Sequence, residues 1–198
     1  MLRRALAAST LFCFVLCGSA ASADESGDEK VEPDFAHNGT YLQAGGTNAI
    51  EVFRDLGPLS AESAEGFNLR WGRRSNERIA IEGQFEWLND FVLSGPGGGS
   101  GSFDTFALSV NAKVFALTGR VQPYALLGMG TLITSGPATS DVGFMGRLGA
   151  GLDVWVTEAL AISLEAGYVL PSGRTRNFDH VAVAWSFVYR FASEEEDY

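Results

Sequence analysis

The chain has 198 residues, 46% of them hydrophobic, with two cysteines and a net charge of −10; that length fits one domain of ordinary size. The acidity is concentrated at the ends: residues 24–34 hold six acids and one lysine, residues 192–198 hold four acids, and residues 35–191 carry eleven basic and fourteen acidic residues, or −3. No basic face is present to neutralise phosphates, which excludes nucleic acid as an expected partner, and the two acidic ends are expected to be solvated and disordered.

The N-terminus opens Met1-Leu2-Arg3-Arg4, continues without charge from Ala5 to Val15, and reaches Ala21-Ser22-Ala23 before the acids begin at Asp24. A positive start, an apolar run and a small-x-small site predict a signal peptide over 1–23, cleaved after Ala23. The apolar run is shorter than the roughly 20 residues of a spanning helix. Leu16 is too bulky, at the position before Cys17, for a lipoprotein site. Both cysteines, Cys13 and Cys17, fall in the peptide to be removed. The mature chain then has neither a disulfide nor a thiolate metal site. A closed, hydrogen-bonded sheet in lipid is one way to stabilise such an exported chain.

Beyond an acidic segment at 24–38, period-2 alternation dominates. A weak first strand covers Gly39–Thr47. The second sets Phe67, Leu69 and Trp71 against Asn68, Arg70 and Gly72, and the third sets Ile79, Ile81, Phe85 and Trp87 against Ala80, Glu82, Gln84 and Glu86. In the fourth, Phe106, Leu108, Val110, Ala112 and Val114 oppose Ser109, Asn111 and Lys113. The fifth, Val121–Ile133, is uniformly apolar and its facing stays ambiguous. The sixth opposes Phe144, Leu148, Ala150, Leu152 and Val154 to Arg147, Gly149, Gly151 and Asp153. The seventh opposes Leu160, Ile162, Leu164, Ala166 and Tyr168 to Ala161, Ser163, Glu165 and Gly167. The last is the clearest: Val181, Val183, Trp185, Phe187, Tyr189 and Phe191 alternate with Ala182, Ala184, Ser186, Val188 and Arg190.

Eight strands result, joined alternately by long gaps (about 48–65, 89–103, 134–141 and 171–179) and short ones (about 74–77, 118–120 and 157–159). That asymmetry is what a membrane barrel shows. Eight strands enclose a narrow interior, which large apolar side chains from every strand would overfill. The apolar face is therefore expected to point into lipid. The other face supplies a lumen network of Arg70, Glu82, Glu86, Lys113, Arg147, Asp153, Glu165 and Arg190. With the N-terminus on the periplasmic side, Trp87, Phe106, Phe144 and Tyr168 are expected at the outer membrane interface. Trp71, Tyr124, Tyr189 and Phe191 are expected at the inner one. In the second hairpin, a turn centred on Asn76 predicts Arg70 directly opposite Glu82. The expected fold is all-β: an eight-stranded antiparallel up-and-down transmembrane β-barrel over 39–191, followed by an acidic tail at 192–198.

The segment Glu82-Gly83-Gln84-Phe85-Glu86-Trp87 resembles those of the small bacterial outer-membrane β-barrel protein family, typified by the outer membrane protein A-like barrel domain. So do Pro123-Tyr124, Gly128-Met129-Gly130, Gly149-Ala150-Gly151-Leu152-Asp153 and the terminal Tyr189-Arg190-Phe191. The family ends on that phenylalanine, whereas Ala192–Tyr198 follow it here. The resemblance implies a cell outer-membrane location, contact with outer-membrane lipids, and the barrel-insertion machinery as a partner in biogenesis.

No nucleotide or phosphate-loop fingerprint, metal spacing or cofactor motif occurs, so no cofactor is expected. Some relatives modify lipid A through a rim histidine with a serine and an acid. Asp179-His180 is the one candidate here and lacks an evident serine, and the histidine reads as a solvated rim residue. The expected role is non-enzymatic: structural, or surface interaction through the outer loops with a ligand the sequence does not define. A narrow, porin-like channel for small solutes is the alternative, and a lipid A-modifying enzyme is a more distant one.

Overall fold

A computed structural model describes residues 35–51, 60–61, 63–94, 100–136 and 140–191. The expected signal peptide, the acidic residues 24–34, the tail 192–198 and parts of the outer loops (52–59, 95–99) lie outside the described residues. The barrel falls within the unit Pro33–Tyr198. It consists of β1 (Gly39–Glu51), β2 (Ala64–Asn76), β3 (Ile79–Ser94), β4 (Ser100–Phe115), β5 (Val121–Ser135), β6 (Ser140–Trp155), β7 (Leu160–Pro171) and β8 (His180–Arg190). Each strand pairs antiparallel with the next, and β8 returns to β1 with Tyr189 opposite Leu42. The sheet is thus a closed eight-stranded up-and-down barrel, and closure satisfies backbone groups that an open edge would leave bare. Ser60–Ala61 adds a two-residue extension beside Leu93 and Ser94 of β3, and a short 3-10 turn, Gly173–Thr175, lies between β7 and β8.

Burial alternates residue by residue, most regularly in β7 and β8. The residues turned inward are those of the polar or small face, and the exposed ones are Leu, Ile, Val, Phe and Trp. This inverts the usual soluble arrangement and follows from a strand's period of two, with lipid expected on one side.

Two irregularities adjust the register. In the β2–β3 turn, Asn76 Oδ1 accepts hydrogen bonds from the backbone N–H groups of Arg78 and Ile79, both at 2.9 Å. Asn76 pairs with Ile79, a shift follows before Arg74, and Arg74 faces Ala80. Arg70 therefore stands opposite Gln84 and Gly72 opposite Glu82. The expected turn centred on Asn76 is wrong by one two-residue step, because the asparagine side chain closes a tighter turn beyond itself. The second shift, between Leu88 and Phe91, is a β-bulge against β4. An extra residue reverses which side faces inward. Phe91 is thereby buried, although odd-numbered residues earlier in β3 face out.

The lumen has three layers. Tyr41, Phe115, Tyr124, Leu126 and Trp155 fill the end at which β1 begins, with Phe35 packed beneath them. Charged and amide side chains occupy the middle. At the far end, Leu88 and Phe91 pack with Phe103, and Leu132, Met145 and Val169 pack with Phe178. Large apolar groups were expected only outside, yet they also cluster at both ends of the lumen. Glycines opposite the inward tyrosines make the room. A Cβ on Gly72 would lie 2.2 Å from the Tyr41 ring, and one on Gly151 2.4 Å from the Tyr124 ring.

Candidate functional site

Arg70 is fully buried at the centre of the charged layer. Its guanidinium grips Glu165 through two bonds, Nη1 to Oε2 at 2.6 Å and Nη2 to Oε1 at 2.7 Å, and Nη1 also reaches Glu82 Oε1 at 3.1 Å. Two parallel charge-assisted bonds fix geometry as well as charge. Glu82 also accepts from the Tyr41 hydroxyl (2.9 Å), Asn111 Nδ2 (3.3 Å) and Lys113 Nζ (3.0 Å). Lys113 donates to Gln43 Oε1 at 3.2 Å and sits 4.5 Å from the centre of the Tyr124 ring. The Tyr124 hydroxyl donates to Glu165 Oε2 at 2.9 Å and lies 3.3 Å from Ser163 Oγ.

From Asn111 the network continues outward. Asn111 Nδ2 donates to Gln84 Oε1 at 2.8 Å, Gln84 Nε2 to Glu86 Oε2 at 3.3 Å, and Arg147 Nη2 contacts both oxygens of Glu86 at 3.0 and 2.7 Å. Asp153 is buried in the same lumen. Three cations (Arg70, Lys113, Arg147) thus share this layer with four carboxylates (Glu82, Glu86, Asp153, Glu165). An isolated buried charge is costly, and a paired one with its remaining donors satisfied is tolerated.

Arg190 is buried at the end of the lumen where Phe35 packs. Its guanidinium lies 3.7 Å over the Trp155 ring, Nη2 donates to the Phe35 carbonyl at 3.0 Å, and Nη1 is 3.2 Å from His37 Nδ1. Arg74 is placed similarly, 4.1 Å from the Phe115 ring centre, with Nη1 donating to Gln122 Oε1 at 2.7 Å and Nη2 to the Glu77 carbonyl. Gln122 Nε2 in turn donates to the Phe35 carbonyl at 3.0 Å. Phe35 is thus tied under the barrel mouth by two side chains.

Of the aromatics expected at the membrane interfaces, Trp71, Phe144, Tyr189 and Phe191 are exposed on the outward face, and Trp87, Phe106 and Tyr168 are half-buried on it. Tyr124 is a correction: it is only 4% exposed and points into the lumen. The apolar character of β5 hid its facing, but Gln122, two residues earlier, shares the side of Tyr124 and marks it as inward. His180, expected to be solvated, is also a correction at 2% exposure. It lies beside the Phe91 ring, its Nδ1 3.0 Å from the Phe178 carbonyl. Asp179 accepts a bond from the Tyr168 hydroxyl at 2.5 Å. Among the described residues no group of His, Cys, Asp and Glu is placed to hold a metal ion.

Sequence reasoning did not single out Tyr41, Gln43, Asn111, Gln84 and Ser163 as network members. The last three lie on the polar faces of their strands, so the signal was present in the alternation. Tyr41 and Gln43 lie in β1, where alternation is weak, and only the tyrosine opposite Gly72 hints at an inward ring.

A closed eight-stranded barrel with an apolar exterior and a charged lumen defines an outer-membrane type of β-barrel. The chain belongs to the outer membrane protein beta-barrel domain family, whose model matches residues 9–191. In fold it is similar to the outer membrane protein OprG from Pseudomonas aeruginosa (TM-score 0.62, 13% identity, 81% of this chain and 100% of that one covered). It is also similar to Neisserial surface protein A (0.57, 16%, 77% and 97%) and to Ail, the attachment invasion locus protein of Yersinia pestis (0.52, 17%, 78% and 100%). A comparison with curated proteins finds no match.

Proposed function

We propose that the protein is a non-enzymatic outer-membrane barrel, exported through a cleaved signal peptide, whose lumen is a structural core and whose role is exerted at its outer loops. The observation that carries this reading is the layering of the lumen. A network of mutually neutralising side chains runs from Gln43 to Arg147, with Tyr41, Phe115, Tyr124 and Trp155 below it and Leu88, Phe91 and Leu132 above it. Ions crossing that path would have to displace bidentate ion pairs and dehydrate between aromatic rings. Membrane lipids and the barrel-insertion machinery are the partners this reading requires. Purified mature protein in planar bilayers is expected to give no discrete conductance steps above the lipid baseline. Reproducible steps would overturn the structural reading.

The second reading, a narrow channel for small solutes, draws on buried polar atoms with no hydrogen-bond partner among the described residues. These include Arg147 Nε and Nη1, Ser109 Oγ, Asn111 Oδ1 and His180 Nε2. Such groups are satisfied by internal water, and a connected file of water would carry current in the same experiment.

A further inference from the structure

The outward face carries a depression of about 490 Å³ on the β1–β5 side of the barrel. Its lining includes a row of directly paired residues, Leu42, Trp71, Gly83, Val110 and Met129, in which Gly83 alone has no side chain. Gly83 is what makes it a depression. A Cβ there would meet only the Trp71 carbonyl oxygen, at 4.0 Å, so any larger side chain would stand in the groove. Neighbouring strands are about 4.8 Å apart, so the row spans about 19 Å of the outer wall, with the depression over Gly83.

The trough is also directed. Counted from the ends at the Phe35 mouth, Leu42 is the fourth residue of β1 and Met129 the ninth of β5. The row therefore climbs from that rim toward the middle of the wall. At its low end the chemistry changes. Arg73 follows Trp71 by two on the same outward face, opposite Ile81, and Arg78 lies in the adjoining turn; both are exposed. The exposed charges of this rim are Arg73, Arg78 and Arg120 against Glu77 and Glu158, Arg74 and Arg190 being turned into the lumen.

We infer that this groove is a site for one anionic phospholipid of the leaflet at the Phe35 end, its phosphate on Arg73 and Arg78 and one acyl chain along the row over Gly83. An apolar depression lined by Trp71, with the exposed Arg73 two residues further along the same outward face and Arg78 in the next turn, matches an amphiphile with a negative head and a long chain. A zwitterionic lipid also carries a phosphate, but its own ammonium competes with Arg73 and Arg78 for that charge. The inference rests on the reading that the apolar face lies in lipid, and the test separates the two.

Trp71 lines the groove and serves as the reporter. Trp87, Trp155 and Trp185 are replaced by Phe, and heat-modifiable gel mobility checks that the barrel is intact. The mature protein is reconstituted in vesicles containing phosphatidylglycerol and phosphatidylcholine, with brominated acyl chains on one lipid at a time. Brominated phosphatidylglycerol is expected to quench Trp71 at least about fivefold more per mole than brominated phosphatidylcholine, the attraction of one arginine to an anionic lipid surface, and more where both arginines engage. Arg73→Gln with Arg78→Gln should bring that ratio to about one. Gly83→Phe, which fills the trough, should weaken quenching by both lipids. Equal quenching in the parent protein, or a ratio unmoved by the arginine substitutions, overturns the site while leaving the lipid-facing reading intact. No quenching by either lipid overturns the lipid-facing reading itself.

Discussion

Arg147 and Leu148 are neighbours in β6, and they sit in opposite solvents. Arg147 is buried against Glu86, while Leu148 is 59% exposed between Leu127 and Tyr168 of the adjoining strands. The same contrast runs round the barrel, with ion pairs inside and Leu, Val and Phe outside. In a soluble protein it would be doubly unfavourable. It becomes stable only if the outside is hydrocarbon, where the apolar belt costs nothing, and if every charge inside finds a partner. The inside face is thus held by specific pairs and is intolerant of losing one. The outside face is held by a uniform environment and is intolerant only of polarity.

The largest effect should come from the inside. Arg70→Ala leaves both Glu82 and Glu165 without their guanidinium, and breaking a buried pair in this way costs about 3–5 kcal/mol. Urea unfolding of the barrel in phospholipid vesicles measures it. A loss of less than about 1 kcal/mol would mean that the carboxylates are solvated and that the lumen is wet, as at an exposed pair. The outside is tested by Leu148→Arg, near the middle of β6. It should cost about 2–4 kcal/mol if the site is near the bilayer midplane. In detergent micelles thinner than the bilayer the penalty should shrink. An unchanged stability in vesicles would place this face in water.

This inside–outside division is legible in the sequence because it depends only on parity. Arg70, Glu82, Lys113 and Glu165 were identifiable as inward residues without knowing which strand met which. What parity cannot supply is who meets whom. The strongest partner of Arg70 is Glu165, on a strand 95 residues away in the chain, while Glu82 on the adjacent strand is bonded from a diagonal position. Parity also fails where the backbone changes it. The bulge between Leu88 and Phe91 turns Phe91 inward, so the outer extension of β3 lacked a readable pattern and fell into an expected loop. The uniform apolarity of β5 concealed Tyr124 for a different reason: Leu126 and Leu132 face the lumen while Leu127 and Met129 face out. Both sides of that strand are apolar because its two ends pass through the two apolar layers of the lumen.

The smallest effect should come from the turn that set the register. Asn76 Oδ1 holds two backbone N–H groups at an exposed site, and Asn76→Ala should cost about 0.5–1.5 kcal/mol per net hydrogen bond, less where water replaces it. The more telling measurement is the pairing itself. The turn chose between Arg70 opposite Gln84 and Arg70 opposite Glu82, but it is not alone in holding that choice. On the other edge of β2, Gly72 must stay opposite Tyr41, because a side chain there would collide with the ring. On β3, Ile81 and Phe85 keep the same outward face under a two-residue slip, so burial by itself would permit the alternative. If the closed barrel fixes the register, the Asn76→Ala protein should keep its nuclear Overhauser contacts between the backbones of Arg70 and Gln84. Contacts between Arg70 and Glu82 would mean that one asparagine side chain, rather than closure of the sheet, decides how β2 and β3 meet.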